Sequence, residues 1–264
     1  MLKIGVFDSG LGGLTVVKAL SEVIQNAQIF YVADTKHAPY GEKTPKQILQ
    51  YSLNITQYLL DTYQIDILII ACNTATSAAI KTLRERYPSL IIIGTEPGIK
   101  PAMEHTVTGK IGILATPATL RGDKYQSLAN VLASQKDILL FEQACPGLVE
   151  QIEKGEISTE ETKTLLEQWV LPMKENNVDT IVLGCTHYPL VGETISKIML
   201  CDVKLIDTGA AIARRVLDLA LQRGHVNQGT CGISVESTGD IYKEIISTIF
   251  EEELEVNYIK IANS

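Results

Sequence analysis

The chain has 264 residues, 45% hydrophobic and 20% charged, with a formal net charge of −8, which suits one large or two modest domains with an ample core. The negative balance argues against a nucleic-acid partner, which needs a clustered basic face, but leaves open a small anionic substrate held by local donors. No apolar run approaches the roughly 18 residues of a membrane span, and Asp8 interrupts any signal-peptide core, so the expectation is a cytoplasmic protein with no membrane contact.

Leu2 to Phe7 reads as a buried strand, followed by the tight turn Asp8-Ser9-Gly10-Leu11-Gly12-Gly13. Leu14, Val17, Leu20 and Ile24 then recur at helical spacing. The glycine-rich turn invites a dinucleotide reading, but the G-x-G-x-x-G pattern fails at Thr15, and Asp8 would repel a pyrophosphate. The glycines instead let the backbone approach a small ligand, or merely tighten the turn. Ala27 to Ala33 is a second strand, ahead of the polar loop Thr35 to Gly41. Thr44-Pro45 supplies an N-cap and a first-turn proline for a helix to about Thr62. Ile65 to Ala71 is a third strand that delivers Cys72. A helix from about Ser77 to Arg86 and a strand from Leu90 to Ile93 complete a βαβαβαβ order, the pattern of a parallel sheet covered on both faces.

Glu96-Pro97-Gly98-Ile99-Lys100-Pro101 breaks the rhythm and marks a domain boundary. The pattern restarts at Lys110-Ile111-Gly112, which repeats Lys3-Ile4-Gly5, so that Thr116-Pro117-Ala118-Thr119 takes the place of the Asp8-Ser9 turn. Asp137 to Phe141 is the next strand, Thr159 to about Val170 a long helix, and Val178 to Gly184 a strand that delivers Cys185. Pro189 begins another helix. Cys72 lies 64 positions after Asp8, and Cys185 lies 69 after Thr116, a near match that supports two related halves. A strand at Val203 to Ile206 and a helix from about Ala210 to Leu221 follow. The tail offers a strand around Gly232 to Glu236, a helix near Ile241 to Phe250, and an edge strand at Leu254 to Ile261. The expected fold is α/β: two similar three-layer parallel-sheet domains related by pseudo-twofold symmetry, with the active site in the cleft between them. Residues 1–96 plus 208–264 would form the first, and 97–207 the second.

Five scattered cysteines fit no disulfide framework, and the absence of C-x-x-C excludes a zinc ribbon or thioredoxin-type motif. Cys145, Cys201 and Cys231 read as small buried hydrophobes. Cys72 and Cys185 differ, since each ends an apolar β-branched run and precedes small polar residues. Parallel strands place such residues at the sheet edge where ligands bind. Stereoinversion next to a carboxylate needs one group to remove a proton from one face and another to return one to the opposite face. A thiol with pKa about 8.5 can do either after a modest shift. Two matched thiols suit that task better than nucleophilic catalysis, which needs one. Ser9, Asn73, Thr74, Thr116 and Thr186 are strand-end donors suited to steadying the carboxylate. Asp8 and His187 are ionisable neighbours able to tune the thiols, although a loop histidine is often only structural.

Asp8-Ser9-Gly10 with Leu11-Gly12-Gly13, Pro39-Tyr40-Gly41, Ala71-Cys72-Asn73-Thr74-Ala75 and Gly184-Cys185-Thr186-His187-Tyr188-Pro189-Leu190 together resemble the motifs of the glutamate racemase family, within the cofactor-independent aspartate/glutamate racemases. The resemblance spans nearly the whole chain. It implies interconversion of L- and D-glutamate for cell-wall peptidoglycan, by a homodimer that uses no cofactor and no metal. It also implies that Cys72 acts on the D-enantiomer and Cys185 on the L-enantiomer. The ligand contacts it implies are Asp8, Ser9, Pro39, Tyr40, Gly41, Asn73, Thr74, Thr116, Thr119, Thr186 and His187. The helper carboxylate falls on Glu153, eight residues past Cys145, with Glu150 as competitor because the intervening stretch departs from the family pattern. Val235-Glu236 before Ser237-Thr238-Gly239-Asp240 also departs from it, replacing aromatic residues. Rival readings are the same chemistry on aspartate, a two-lobed amino-acid sensor without catalysis, and a zinc hydrolase using Cys185 and His187.

Overall fold

The computed structural model describes residues 1–133, 138–200, 202–250 and 254–261. In chain order its elements are β1 (Leu2–Asp8), α1 (Leu14–Val23), β2 (Ala27–Ala33), α2 (Pro45–Tyr63), β3 (Ile67–Ile70), α3 (Asn73–Arg86), β4 (Ile91–Gly94), α4 (Ile99–His105), β5 (Lys110–Ala115), α5 (Pro117–Arg121), α6 (Asp123–Ala133), β6 (Leu139–Ala144), α7 (Leu148–Glu153), α8 (Glu160–Glu175), β7 (Thr180–Gly184), α9 (Gly192–Met199), β8 (Lys204–Ile206), α10 (Gly209–Gln222), β9 (Cys231–Ser237), α11 (Lys243–Phe250) and β10 (Val256–Tyr258). They fall into two compact units, one of Met1–Thr95 with Gly209–Ser264 and one of Glu96–Thr208.

The first unit holds a parallel six-stranded sheet in the order β10-β9-β2-β1-β3-β4. Its central strands are apolar on both faces, as β3 shows with Ile67, Leu68, Ile69 and Ile70 all buried. Burial of each such side chain is worth about 1.5–3 kcal/mol. Helices α1, α10 and α11 pack together, and α2 packs on α3. Thr44 caps α2 through a reciprocal pair with Gln47, and Pro45 sits in the first turn, where no amide hydrogen is needed.

The second unit repeats the pattern with a parallel four-stranded sheet ordered β6-β5-β7-β8. In each unit the first strand is flanked by the next two, and the third of the series is followed outward by the fourth. The chain therefore reverses its direction of travel across the sheet between β1 and β3, and again between β5 and β7. Such reversals open a crevice at the carboxyl ends of the two strands.

Several sequence expectations need correction. Helix α3 begins at Asn73 rather than Ser77, because Cys72 itself supplies the N-cap and the polar run folds into the first turn. The segment with Pro97 and Pro101 is not simply a breaker: α4 starts at Ile99 and tolerates Pro101 in its first turn. Pro189 lies in a short 3-10 turn, Tyr188–Val191, ahead of α9. Helices α5, α6 and α7 were not anticipated. Cys145 is buried as expected but Cys231 is only half-buried, while Cys201 and Asp137 lie outside the described residues. No helix among the described residues is long and apolar enough to cross a membrane.

Candidate active site

In the first unit, β1 ends at Asp8 and β3 delivers Cys72 beside it, since the pairing Phe7–Ile70 continues as Ala71 N–H donating to the Phe7 carbonyl at 2.9 Å. Asp8 is fully buried. Its Oδ2 accepts from the Gly13 amide at 2.7 Å, at the start of α1, where the helix end favours negative charge. That approach explains Gly13: a Cβ there would lie 2.6 Å from the Asp8 Cβ and 2.8 Å from the Tyr31 hydroxyl oxygen. The glycine-rich turn thus holds a carboxylate of the chain itself at the helix N-terminus, which a dinucleotide phosphate would have to displace.

The Cys72 sulfur accepts from the Ala75 amide at 3.4 Å, as the N-cap of α3, and lies 3.8 Å from the Ser9 hydroxyl. A sulfur at the positive end of a helix is in surroundings that favour the thiolate. Asn73 and Thr74 occupy the first turn of α3 and are both buried. Asn73 is 7% exposed, and its Nδ2 has no hydrogen-bond partner within the protein. An unsatisfied buried amide costs about 1–3 kcal/mol, so this donor is held ready for an acceptor from outside. Pro39 follows a cis peptide bond, and Tyr40 and Gly41 form a 3-10 turn. The Tyr40 hydroxyl donates to Asp34 Oδ2 at 2.5 Å.

In the second unit, Cys185 follows β7 and Thr116 follows β5, neighbouring strands paired as far as Ala115–Gly184. Thr116 therefore stands across from Cys185 as Ser9 stands across from Cys72, in keeping with the Thr116 turn taking the place of the Asp8-Ser9 turn. Gly184 is required by this approach, since a Cβ would lie 2.9 Å from both the Ala115 Cβ and the Leu114 carbonyl oxygen. Thr116 caps α5 through the Thr119 amide, and the two hydroxyls lie 2.9 Å apart.

The Cys185 sulfur is 3.7 Å from His187 Nδ1, and the Thr186 hydroxyl is 3.5 Å from the same nitrogen. On the other side of the ring, Nε2 meets Glu153 Oε1 at 2.5 Å. Of the two carboxylates weighed on α7, it is thus Glu153 that reaches His187. The histidine is no surface residue, being 1% exposed. Burial is the largest influence on it and opposes its charge, yet the Cys185 sulfur and the Glu153 carboxylate outweigh burial and raise its pKa well above 6.5. Cys145, by contrast, is pushed up to about 12, chiefly by burial, and behaves as an inert packing thiol. Cys145 follows β6, on the opposite side of β5 from β7. Two strand spacings of about 4.8 Å leave it too far from Cys185 for a disulfide without backbone movement.

The first unit thus gathers Asp8, Ser9, Cys72, Asn73 and Thr74 at the carboxyl edge of its sheet. Cys185, Thr186, His187, Glu153, Thr116 and Thr119 share the corresponding edge of the second. Sequence reasoning passed over Asp34, the buried partner of Tyr40; its signal was a carboxylate one residue past β2, at the same edge as Asp8. Among the described residues no group of three or more His, Cys, Asp or Glu side chains is placed to hold a metal ion, and the zinc-hydrolase reading finds no ligand set.

Parallel α/β units with a thiol at a strand-order reversal define a class, and comparison with known proteins agrees. Residues 4–216 match the model of the Asp/Glu/Hydantoin racemase family. The chain belongs to that family, whose members are isomerases. It is 67% identical over 251 residues to the glutamate racemase of Sulfurovum sp. (strain NBC37-1), covering 95% of each. Among solved structures, a glutamate racemase of Bacillus anthracis superposes with TM-score 0.86 at 27% identity, covering 98% of both chains. The glutamate racemase of Francisella tularensis in complex with D-glutamate gives 0.83 at 26% identity, covering 100% of this chain and 99% of that one.

Proposed function

We propose that the protein interconverts L- and D-glutamate by a two-base mechanism in which Cys72 and Cys185 serve opposite faces of one α-carbon. For one enantiomer a thiolate takes the α-proton, leaving a carbanion whose charge spreads into the carboxylate. The other thiol then donates its proton to the opposite face, and the return reaction exchanges the roles. Following the family resemblance, Cys72 takes the proton from D-glutamate and Cys185 from L-glutamate. No redox or group-transfer step is needed, so the chemistry balances without a cofactor.

The observation that carries this reading is that each unit presents a thiol at its strand-order reversal, with a hydroxyl residue across from it. The two thiols have different supports. Cys72 has a helix N-terminus, while Cys185 has an imidazole backed by Glu153, which can pass it a proton. Asp8 and the short donors Ser9, Asn73, Thr74, Thr116, Thr119 and Thr186 suit an amino acid with two carboxylates. Relatives named glutamate racemase support glutamate over aspartate. The further role, supplying D-glutamate to peptidoglycan from a cytoplasmic homodimer, rests on the family resemblance.

A circular-dichroism turnover assay with L-glutamate and L-aspartate side by side, without added cofactor, tests the reading. The glutamate signal is expected to decay to zero while the aspartate signal persists. Decay of aspartate alone moves the substrate to the shorter acid, and decay of neither favours a sensor.

A further inference from the structure

A buried carboxylate that the proton-transfer scheme does not use holds the Thr35–Gly41 loop. Asp34 is 1% exposed and accepts from the Tyr40 hydroxyl at 2.5 Å, His37 Nδ1 at 2.9 Å and the Thr238 hydroxyl at 2.8 Å. Burial first, then the charge of Asp34, raise the Tyr40 pKa well above the ordinary phenol value, so the hydroxyl keeps its proton and remains a donor. Two of the three donors belong to the loop. The third comes from the turn after β9, 204 positions further along the chain.

Thr238 does more than donate. Its oxygen accepts from the Lys36 amide at 3.2 Å, and its own amide donates to the Ala33 carbonyl at 3.0 Å. Beside it, the Ser237 and Thr35 hydroxyls lie 2.8 Å apart. The C-terminal turn is therefore sewn to both ends of the segment that carries Asp34. The Tyr40 side chain is fully enclosed, so it serves as an anchor. The main chain of Pro39, Tyr40 and Gly41 stands wherever Asp34 fixes the phenol.

We propose that Thr238 is a positioning residue for substrate binding: by orienting Asp34 it sets Tyr40, and with it the Pro39-Tyr40-Gly41 segment, which packs on the helix that Cys72 caps and to which the family resemblance gives substrate contacts. This rests on the functional reading above and goes beyond it, since it gives the C-terminal turn a part in recognition. An interaction of this kind governs where the substrate sits, not the thiols that move the proton. Its loss should appear in KM with kcat little changed.

The test compares Thr238→Val, which keeps the shape but deletes the hydroxyl, with Thr238→Ser, which keeps it. The valine variant is expected to raise KM about fivefold to tenfold for both enantiomers, with kcat within about twofold, and the serine variant to match the parent. Tyr40→Phe deletes another donor to Asp34 and should have a similar effect. The double variant should fall short of the product of the two, since both act through one carboxylate. Unchanged KM in Thr238→Val, even with a lowered melting temperature, overturns the proposal, as does a loss confined to kcat. Should the valine variant fail to fold, Tyr40→Phe carries the test, and an unchanged KM there overturns it equally. The ring-carbon NMR resonance of Tyr40 reads the same coupling without turnover: it should shift in Thr238→Val and not in Thr238→Ser, and no shift overturns the proposal. Wild-type protein inert toward glutamate, with the resonance shift still observed, would instead sink the functional reading while keeping the coupling of Thr238 to Tyr40 through Asp34.

Discussion

Replacing Glu153 by glutamine would keep the shape of the side chain while removing the charge that faces His187 Nε2. Breaking a fully buried ion pair costs about 3–5 kcal/mol. The Glu153 side chain keeps 18% of its exposure, however, against 2% for His187, so water recovers part of that loss and about 2–3 kcal/mol is expected. In urea this is a midpoint shift of roughly 1 M for the second unit. The sign with pH follows from the raised pKa of His187. A raised folded-state pKa adds stability that is fully present below the unfolded value of 6.5 and is lost as pH rises through the folded value. The difference between parent and variant should therefore be largest below the unfolded value of 6.5 and shrink under alkaline conditions. Urea melts across that range, with the His187 ring resonance followed by NMR, supply the measurement. A pH-independent difference, or a His187 that titrates no lower in the variant, would refute the pairing as the source of its charge.

Alanine at either Cys72 or Cys185 should abolish racemisation, by about 100-fold or more. Because the enantiomers have equal free energy, kcat/KM must fall equally in both directions, and full turnover by either variant would sink the two-base scheme. In deuterated water, solvent deuterium should enter mainly the mirror product early in the reaction; early washout into recovered substrate at a comparable rate would favour a single base. Gly13→Ala forces a Cβ to 2.6 Å from that of Asp8 and should cost about 1–3 kcal/mol, together with activity; a variant as stable and active as the parent by thermal melt and turnover would contradict that packing. Asp179→Ala should destabilise the second unit by about 2 kcal/mol. There the carboxylate accepts from Thr106, the Val107 and Thr108 amides and Thr180. Burial, the largest influence, raises the Asp179 pKa, but these bonds together lower it below 3.8. Its contribution is therefore present above 3.8 and lost as pH falls through the folded value, so acid melts of parent and variant should converge at the lowest pH and differ at neutrality.

Much of this was legible in the chain itself. Apolar runs such as Ile67–Ile70 and Thr180–Gly184 are too short and too β-branched for helices, so strand identity, parallel order and the strand-end placement of Cys72 and Cys185 follow from local composition. The Thr44-Pro45 start of α2 is equally local, since a cap is decided by residues three apart. What escaped was set at longer range. The start of α3 was misread because Asn73 and Thr74 favour loops until Cys72 and the neighbouring strands fold them into a first turn. Residue spacing could not say whether Glu150 or Glu153 would face His187, because that depends on how α7 lies against the end of β7. Nor could it join Asp34 to Thr238, whose hydrogen bond exists only because β9 returns to pair with β2. Periodicity and capping extend over a turn or two of chain, and so the sequence determined the elements and the residues at their ends. The partners of a buried carboxylate or imidazole are drawn from whichever strand or helix the sheet order brings alongside, and only the tertiary structure decided those.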